Sequence, residues 1–256
     1  MKVKIIIAAH KPYKMPEDDM YLPLHVGKHG KDDIGFTGDD TGDNISEKNP
    51  RFCELTGLYW AWKNLDADYI GLAHYRRHFS LKPKKDRFSS VVSKKEICAL
   101  LEDTDVIVPK KQKYYIENLY DHYAHTHKEE HLVILREVLS EKSPEYLDEF
   151  EALKKRTSAH MFNMFVMKRE SLDLYLSWMF DILFEVEKRM DFDKMSPFEA
   201  RMMGRLSELM LDMWLNKNQI EYKEIPCVYM EKINLAAKVI GFLKAKFFGK
   251  SYDKSF

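Results

Sequence analysis

Apolar runs separated by polar breaks divide the chain into short strands and longer helices. Val3 to Ala9 is a β-branched run that stops at His10-Lys11-Pro12-Tyr13. A run of this kind predicts a strand buried on both faces, as in parallel sheets covered by helices. Lys14 to Pro50 is polar and rich in turn residues, most densely over Gly38-Asp39-Asp40-Thr41-Gly42-Asp43-Asn44, and predicts an ordered loop excursion. Arg51 to Leu65 has helical spacing, with Leu55, Leu58, Tyr59 and Trp62 on one stripe. A second strand follows over Tyr69 to Ala73 and ends at His74-Tyr75-Arg76-Arg77-His78.

Beyond a basic loop at Lys82 to Lys95, Glu96 to Glu102 predicts a helix and Asp105 to Pro109 a third strand. A Tyr- and His-rich segment over 114–131 leads into helices reaching about Arg156, then a fourth strand at Met161 to Met167 and a helix at Glu170 to Arg189. Ser196-Pro197-Phe198-Glu199 combines an N-cap serine, a first-turn proline and a glutamate three after the cap, so a helix should run from there to about Lys217. Glu221 to Val228 predicts a last strand. Without internal repeat or linker, the alternation predicts one α/β domain over residues 1–256. Its mostly parallel sheet should be flanked by helices, with extra helices in the C-terminal half.

Composition narrows the function. With 45% apolar and 32% charged residues, the 256-residue chain is neither disordered nor low-complexity. Lys plus Arg and Asp plus Glu both total 41, so the formal net charge is zero. That speaks against a nucleic-acid partner held by bulk charge and makes any anion site local. Cys53, Cys98 and Cys227 are scattered, and no C-x-x-C occurs, which fits a reducing cytosol rather than a disulfide or zinc framework. The first apolar run is too short for a signal peptide, and no eighteen apolar residues run together. The expectation is a cytoplasmic protein, soluble or peripheral at the inner face of the membrane.

Ligands of open parallel sheets bind beyond the carboxyl ends of the strands. Two strands here end in polar clusters, and the second is the sharper: adjacent Arg76 and Arg77 flanked by His74 and His78. The planar guanidinium fork suits paired phosphate oxygens, and a solvated charge run is the competing reading. Many nucleotide-sugar transferases of the GT-A type hold a divalent metal on an Asp-x-Asp at the end of an early strand. Asp66-Ala67-Asp68 matches that string but precedes its strand, and His74-Tyr75-Arg76 stands where the metal pair would be. Fixed cations there can neutralise a diphosphate in the metal's place.

Several longer motifs carry a resemblance. Glu54-Leu55-Thr56-Gly57-Leu58-Tyr59-Trp60, Gly71-Leu72-Ala73-His74-Tyr75-Arg76-Arg77 and Asn44-Ile45-Ser46-Glu47-Lys48-Asn49 are its core. Asp105-Val106-Ile107-Val108-Pro109-Lys110, Tyr120-Asp121-His122-Tyr123, Phe162-Asn163-Met164-Phe165 and Leu206-Ser207-Glu208 extend it. Together they resemble a bacterial family of capsular and exopolysaccharide biosynthesis glycosyltransferases, long catalogued as a domain of unknown function. The resemblance implies a GT-A-like fold and transfer of a sugar from a nucleotide donor such as a UDP-sugar, galactofuranose among the sugars. The acceptor would be a lipid-linked or oligosaccharide chain. One departure is Leu209-Met210, where Arg-Leu is expected after the glutamate.

On this reading His10 and Tyr13 lie against the nucleotide, and His74, Arg76 and Arg77 hold the diphosphate. Glu54 and Trp60 line the donor pocket, with core packing as the other reading of Trp60. Tyr120, His122 and His125, in an aromatic and histidine-rich segment, form an acceptor surface, against the rival reading of an ordinary amphipathic helix. No cofactor and no metal are expected, because His122, His125, His127 and His131 lack the carboxylate spacing of a complete ligand set. On the Ser196 helix, Phe198, Met202, Leu206, Leu209 and Met213 make the apolar stripe, and Arg201, Arg205, Glu208 and Asp212 lie opposite, as on a salt-bridged solvent face. The resemblance alone singles out Glu208, as the base that takes the acceptor's proton. Residues 235–250, basic and rich in Phe and Leu, predict an amphipathic helix that either touches the membrane or packs on the domain. The rival functions are a nucleotide-sugar binding module without turnover and a metal-dependent phosphohydrolase built on the histidines.

Overall fold

In the computed structural model, which describes residues 1–82 and 84–231, strand β1 (Val3–Ala9) lies between two parallel neighbours. Ile6 and Ala8 point into one core and Val3, Ile5, Ile7 and Ala9 into the other, which is why the run has no polar face. Each Val or Ile side chain among them removed from water contributes ~1.5–3 kcal/mol. The neighbours are β2 (Tyr21–His25), followed at the edge by β3 (Thr37–Gly38), and β4 (Tyr69–His74). A tight turn takes β4 into the antiparallel β5 (Arg77–Phe79).

The other side of the sheet is built from later chain: β6 (Val106–Pro109), a short pair β7 (Gln112–Lys113) and β8 (Ser158–Ala159), then β9 (Phe165–Lys168), β10 (Lys223–Ile225) and β11 (Cys227–Tyr229). The main path runs β10-β6-β9-β4-β1-β2-β3, with β9 antiparallel to both β4 and β6 and β11 paired to β5. The helices are α1 (Asn49–Phe52), α2 (Leu55–Asn64), α3 (Lys94–Leu100), α4 (Leu119–Thr126), α5 (Glu129–Lys142), α6 (Leu147–Glu151), α7 (Arg169–Arg189) and α8 (Met202–Lys217). Helix α3 covers one face through Ile97, and α2, α4, α5, α7 and α8 cover the other. The α/β class and the mostly parallel sheet between helices are therefore as the alternation predicts.

Local departures have identifiable causes. The stretch from Lys14 to Pro50 is not all loop: Leu22 and Leu24 bring β2 alongside β1, where Tyr21 and Leu24 are buried. Its excursion is pinned by Asp39, which is wholly buried and accepts from the Gly27 and Lys28 N–H groups at 2.8 and 3.0 Å, from Ser46 Oγ at 2.5 Å and from Thr56 Oγ1 at 2.6 Å. The helix expected from Arg51 to Leu65 is broken at Cys53, whose φ is +52°. Gly57 then lets α2 lie directly on β2, since a Cβ there would stand 2.6 Å from Val26 Cγ1 and 2.9 Å from Leu24 Cδ2.

The fourth strand starts only at Phe165, because Phe162 and Asn163 take left-handed backbone, at φ +75° and +54°, and turn the chain first. Ser196 and Glu199 form the expected reciprocal cap, but a short 3-10 turn over Glu199–Arg201 precedes α8. The last strand is split at Pro226 into β10 and β11. The helix predicted over 235–250 lies outside the described residues.

Candidate functional site

A cavity of about 950 Å³ opens beyond the carboxyl ends of β1 and β4, walled by the β4–β5 turn, the loop leading into α4, and the start of α8. Its lining includes His10, Glu54, His74, Arg76, Arg77 and Glu208. In-register pairing of His74 with Arg77 leaves only Tyr75 and Arg76 in the turn. Tyr75 is buried there, edge-on to His10 at 5.3 Å and to Tyr13 at 5.0 Å between ring centroids. Arg76 reaches the cavity with Glu231 Oε2 3.8 Å from its Nη1. Arg77 stacks its guanidinium 4.1 Å over the Phe162 ring, leaving its Nε buried without a hydrogen-bond partner among the described residues.

The electrostatics mark this end as cationic. Burial lowers the pKa of His10, and so do Arg76, Lys11, Arg201 and Lys31, which all face it. His74 is likewise held down by burial and by Arg77 and Arg76, with Glu54 opposing. The neutral His74 ring donates Nε2–H to the Phe162 carbonyl at 2.7 Å, a tautomer assigned from that acceptor. A bound polyanion would meet fixed, pre-oriented positive charge here, and none of it depends on protonating a histidine.

The floor is built on the Phe162–Asn163 turn. Phe162 N–H donates to Glu208 Oε1 at 3.1 Å. Asn163 Nδ2 donates to Glu54 Oε1 at 2.8 Å and to the Gly204 carbonyl at 2.9 Å, and Asn163 Oδ1 accepts from Ser207 Oγ at 2.9 Å. The turn thus ties together the two carboxylates that line the cavity from α8 and from the residue before α2. Burial, and then Glu54, push Glu208 up to about 8, while Arg77, the Phe162 N–H and Arg205 pull the other way. At neutral pH it is a carboxyl poised to exchange a proton.

The polar side of α8 is therefore not a solvent face. Arg201, Arg205 and Glu208 all line the cavity, and Asp212 is buried, accepting from the His160 N–H at 2.9 Å and lying 2.5 Å from His160 Nδ1. Periodicity correctly places these residues on one face but does not say that the face meets a cavity. Arg201, Arg205, Lys31 and Phe162 are among the lining residues that the sequence does not assign to the site. For Arg201 and Arg205 the signal in the sequence is their i, i+4, i+7 spacing with Glu208.

Other expected positions fall outside. Tyr13 does not line the cavity and instead supports Tyr75 from behind. Trp60 is core: it is buried, and its indole N–H donates to Thr41 Oγ1 at 3.0 Å. Tyr120 packs against Phe150 and donates its hydroxyl to Glu129 Oε1 at 2.9 Å, so it forms no part of the cavity. His122 does line it, its ring 4.2 Å from Tyr114, whereas His125 turns aside to Glu117 Oε1 at 2.7 Å. Burial brings His127 down to about 2 and His131 to about 4, and among the described residues no three His, Cys, Asp or Glu side chains converge as a ligand set.

Residues 4–219 match a family described as a domain of unknown function, DUF4422. Among solved structures, the apo structure of the WbbM bifunctional glycosyltransferase is similar to this chain, with 31% identity and a TM-score of 0.82. The similarity covers 91% of this chain and 46% of that one, so this chain spans less than half of the solved protein. No curated protein matches it.

Proposed function

The chain belongs to the DUF4422 family, and we propose that it is a glycosyltransferase that moves a sugar from a nucleotide-diphosphate donor, such as a UDP-sugar, to a surface-polysaccharide acceptor. The observation that carries the proposal is the Arg76–Arg77 turn beyond β1 and β4, opening into the same cavity as the half-buried Glu208. The similarity to WbbM, itself described as a bifunctional glycosyltransferase, supports the same reading. Galactofuranose is the first candidate sugar, on the strength of the motif resemblance.

In this assignment His10 and Tyr75 face the nucleotide, with Tyr13 bracing Tyr75. Arg76 and Arg77 hold the diphosphate, His74 and Glu54 lie near the sugar, and His122 stands on the acceptor side. The acceptor hydroxyl gives its proton to the ionised Glu208 carboxylate as its oxygen bonds to the anomeric carbon. The bond from that carbon to the diphosphate oxygen breaks, and the nucleoside diphosphate leaves with its charge held by the arginines. Fixed guanidinium groups take the charge-neutralising part that a divalent metal plays in other transferases.

No helix among the described residues is long and apolar enough to cross a membrane. A lipid-linked acceptor would then be met at the membrane surface, from the cytoplasmic side. The test is turnover of a panel of UDP-sugars, UDP-galactofuranose included, with oligosaccharide acceptors read by mass spectrometry. A transferred sugar supports the proposal. Donor binding without any turnover leaves a nucleotide-sugar binding module, and no donor binding removes both.

A further inference from the structure

Beside the main cavity lies a smaller chamber of about 120 Å³ that shares Tyr114, His122, Thr126, His127, Arg205 and Glu208 with it. Leu119, Met161 and Leu209 supply its apolar wall. Arg205 occupies this chamber in an unusual way. Its guanidinium stacks 3.9 Å over the Phe198 ring, and Nη1 donates to His127 Nδ1 at 3.1 Å, a neutral acceptor. Its Nη2 is buried and has no hydrogen-bond partner among the described residues.

A guanidinium stays charged in any protein environment, so this is a half-buried cation with an unused donor. Leaving such a donor unsatisfied is costly unless something else occupies the space. Its close contacts bring no carboxylate against it among the described residues: one is the Phe198 ring face and the other the uncharged His127 ring. The diphosphate of the proposed donor belongs to Arg76 and Arg77 at the strand ends, so it leaves Arg205 unaccounted for.

We propose that this chamber is a subsite for an anionic substituent, a carboxylate or phosphate carried by a sugar, whose oxygens take the free Nη2–H of Arg205 while Tyr114 and Met161 pack against its apolar ring face. The inference rests on the glycosyltransferase reading for the identity of that sugar, which is the acceptor residue or the transferred one. The lining suits the chemistry: aromatic faces for a pyranose or furanose ring, and one planar fork for two oxygens.

The experiment is thermal unfolding of the full chain with UDP held saturating and sodium D-glucuronate, D-glucose 1-phosphate or D-glucose added at matched ionic strength. UDP affinity is measured separately, so that loss of donor binding and loss of the anion subsite are distinguishable. Glucuronate or the sugar phosphate should raise the midpoint by about 2–4 °C more than glucose when present well above its dissociation constant. The larger of the two shifts identifies carboxylate or phosphate as the group recognised. In Arg205→Gln the advantage over glucose should vanish while UDP affinity stays within about twofold. Should that variant not fold, Arg205→Lys keeps the charge without the fork and should lose most of the shift. Equal midpoints for the three sugars in the unsubstituted protein would overturn the proposal, as would an undiminished shift in a folded Arg205 variant.

Discussion

The backbone N–H of Phe162 donates to Glu208 Oε1 at 3.1 Å, from a residue held at φ +75°. A bulky residue in left-handed backbone costs of order 1–3 kcal/mol and persists only where its surroundings enforce it. Here the enforcement is visible: His74 holds the Phe162 carbonyl, Arg77 stacks on its ring, and Asn163 anchors the turn to Glu54, Gly204 and Ser207. The turn presents a donor to a carboxyl that burial would otherwise keep firmly neutral. Its effect is to bring Glu208 within reach of ionisation at near-neutral pH.

Glu208→Gln should lower turnover by roughly 10²–10⁴ while UDP affinity persists, if Glu208 takes the acceptor proton. The pH dependence supplies a second readout. The folded-state pKa of about 8 lies above the ordinary 4.5, so the folded protein holds a proton that the unfolded chain has released. The stability contribution is full below the ordinary value and declines as pH rises through the folded one. Urea midpoints at about pH 5 and pH 9 should therefore differ less in Glu208→Gln than in the native chain. A variant with near-native turnover would return the base to another group.

Arg76→Ala should weaken donor binding on the order of 10–100-fold, the equivalent of ~1.5–3 kcal/mol for one charged hydrogen bond. Folding should barely change. The one ion pair of Arg76 among the described residues is the 3.8 Å contact to Glu231, in which both side chains reach solvent, and such pairs contribute ~0–1 kcal/mol. Titration of UDP by calorimetry decides it, with unchanged affinity in a folded variant as the contrary result.

What could be read in advance follows from burial. β1 announces itself because both of its faces are buried, and the two-sided core explains the unbroken run from Ile5 to Ala9. β2 does not, because its two central apolar residues flank Pro23 in a polar stretch. The Arg76–Arg77 turn is legible because charge stands directly at a strand end. The α8 face is not: Arg201, Arg205 and Glu208 have the same spacing whether they meet water or a cavity. Trp60 and Tyr120 show the converse error, since an aromatic near a motif packs in a core as readily as it lines a site.

Turnover should survive EDTA without added manganese or magnesium. The physical reason is that Arg76 and Arg77 offer positive charge where a diphosphate would lie, and His10 registers that field through Arg76, Lys11, Arg201 and Lys31. The measurement is initial rate before and after chelation and dialysis. Activity lost on chelation and restored by a divalent ion would show that a metal shares the diphosphate.

Asp39→Ala should unfold the Gly38–Asn44 excursion rather than alter chemistry. The substitution strands the Gly27 and Lys28 N–H groups and the Ser46 hydroxyl, all within 3.0 Å of the carboxylate, and leaves the Thr56 hydroxyl only the Cys53 carbonyl. Buried donors left without an acceptor cost about 1–3 kcal/mol apiece, so a loss of ~3 kcal/mol or more is expected in urea unfolding. A stable Asp39→Ala protein would show that the loop does not depend on this carboxylate.

Asn163 allows strain and positioning to be separated. It sits at φ +54° and its side chain holds Glu54 and the backbone of α8. Asn163→Gly keeps the left-handed backbone at no steric cost but removes every side-chain bond, whereas Asn163→Ala also adds the Cβ penalty of about 1–2 kcal/mol. The alanine protein should therefore be the less stable of the two by about that amount. If the side chain positions the carboxylates, both variants should lose turnover to a similar extent, up to ~10², because small displacements of reacting groups are expensive. Their UDP affinity should change little, since Arg76 lies against Glu231 and Arg77 is fixed by strand pairing to β4 and β11, outside this turn. Full turnover in Asn163→Gly would mean that the turn needs only its backbone conformation and that the carboxylates find their places without the amide.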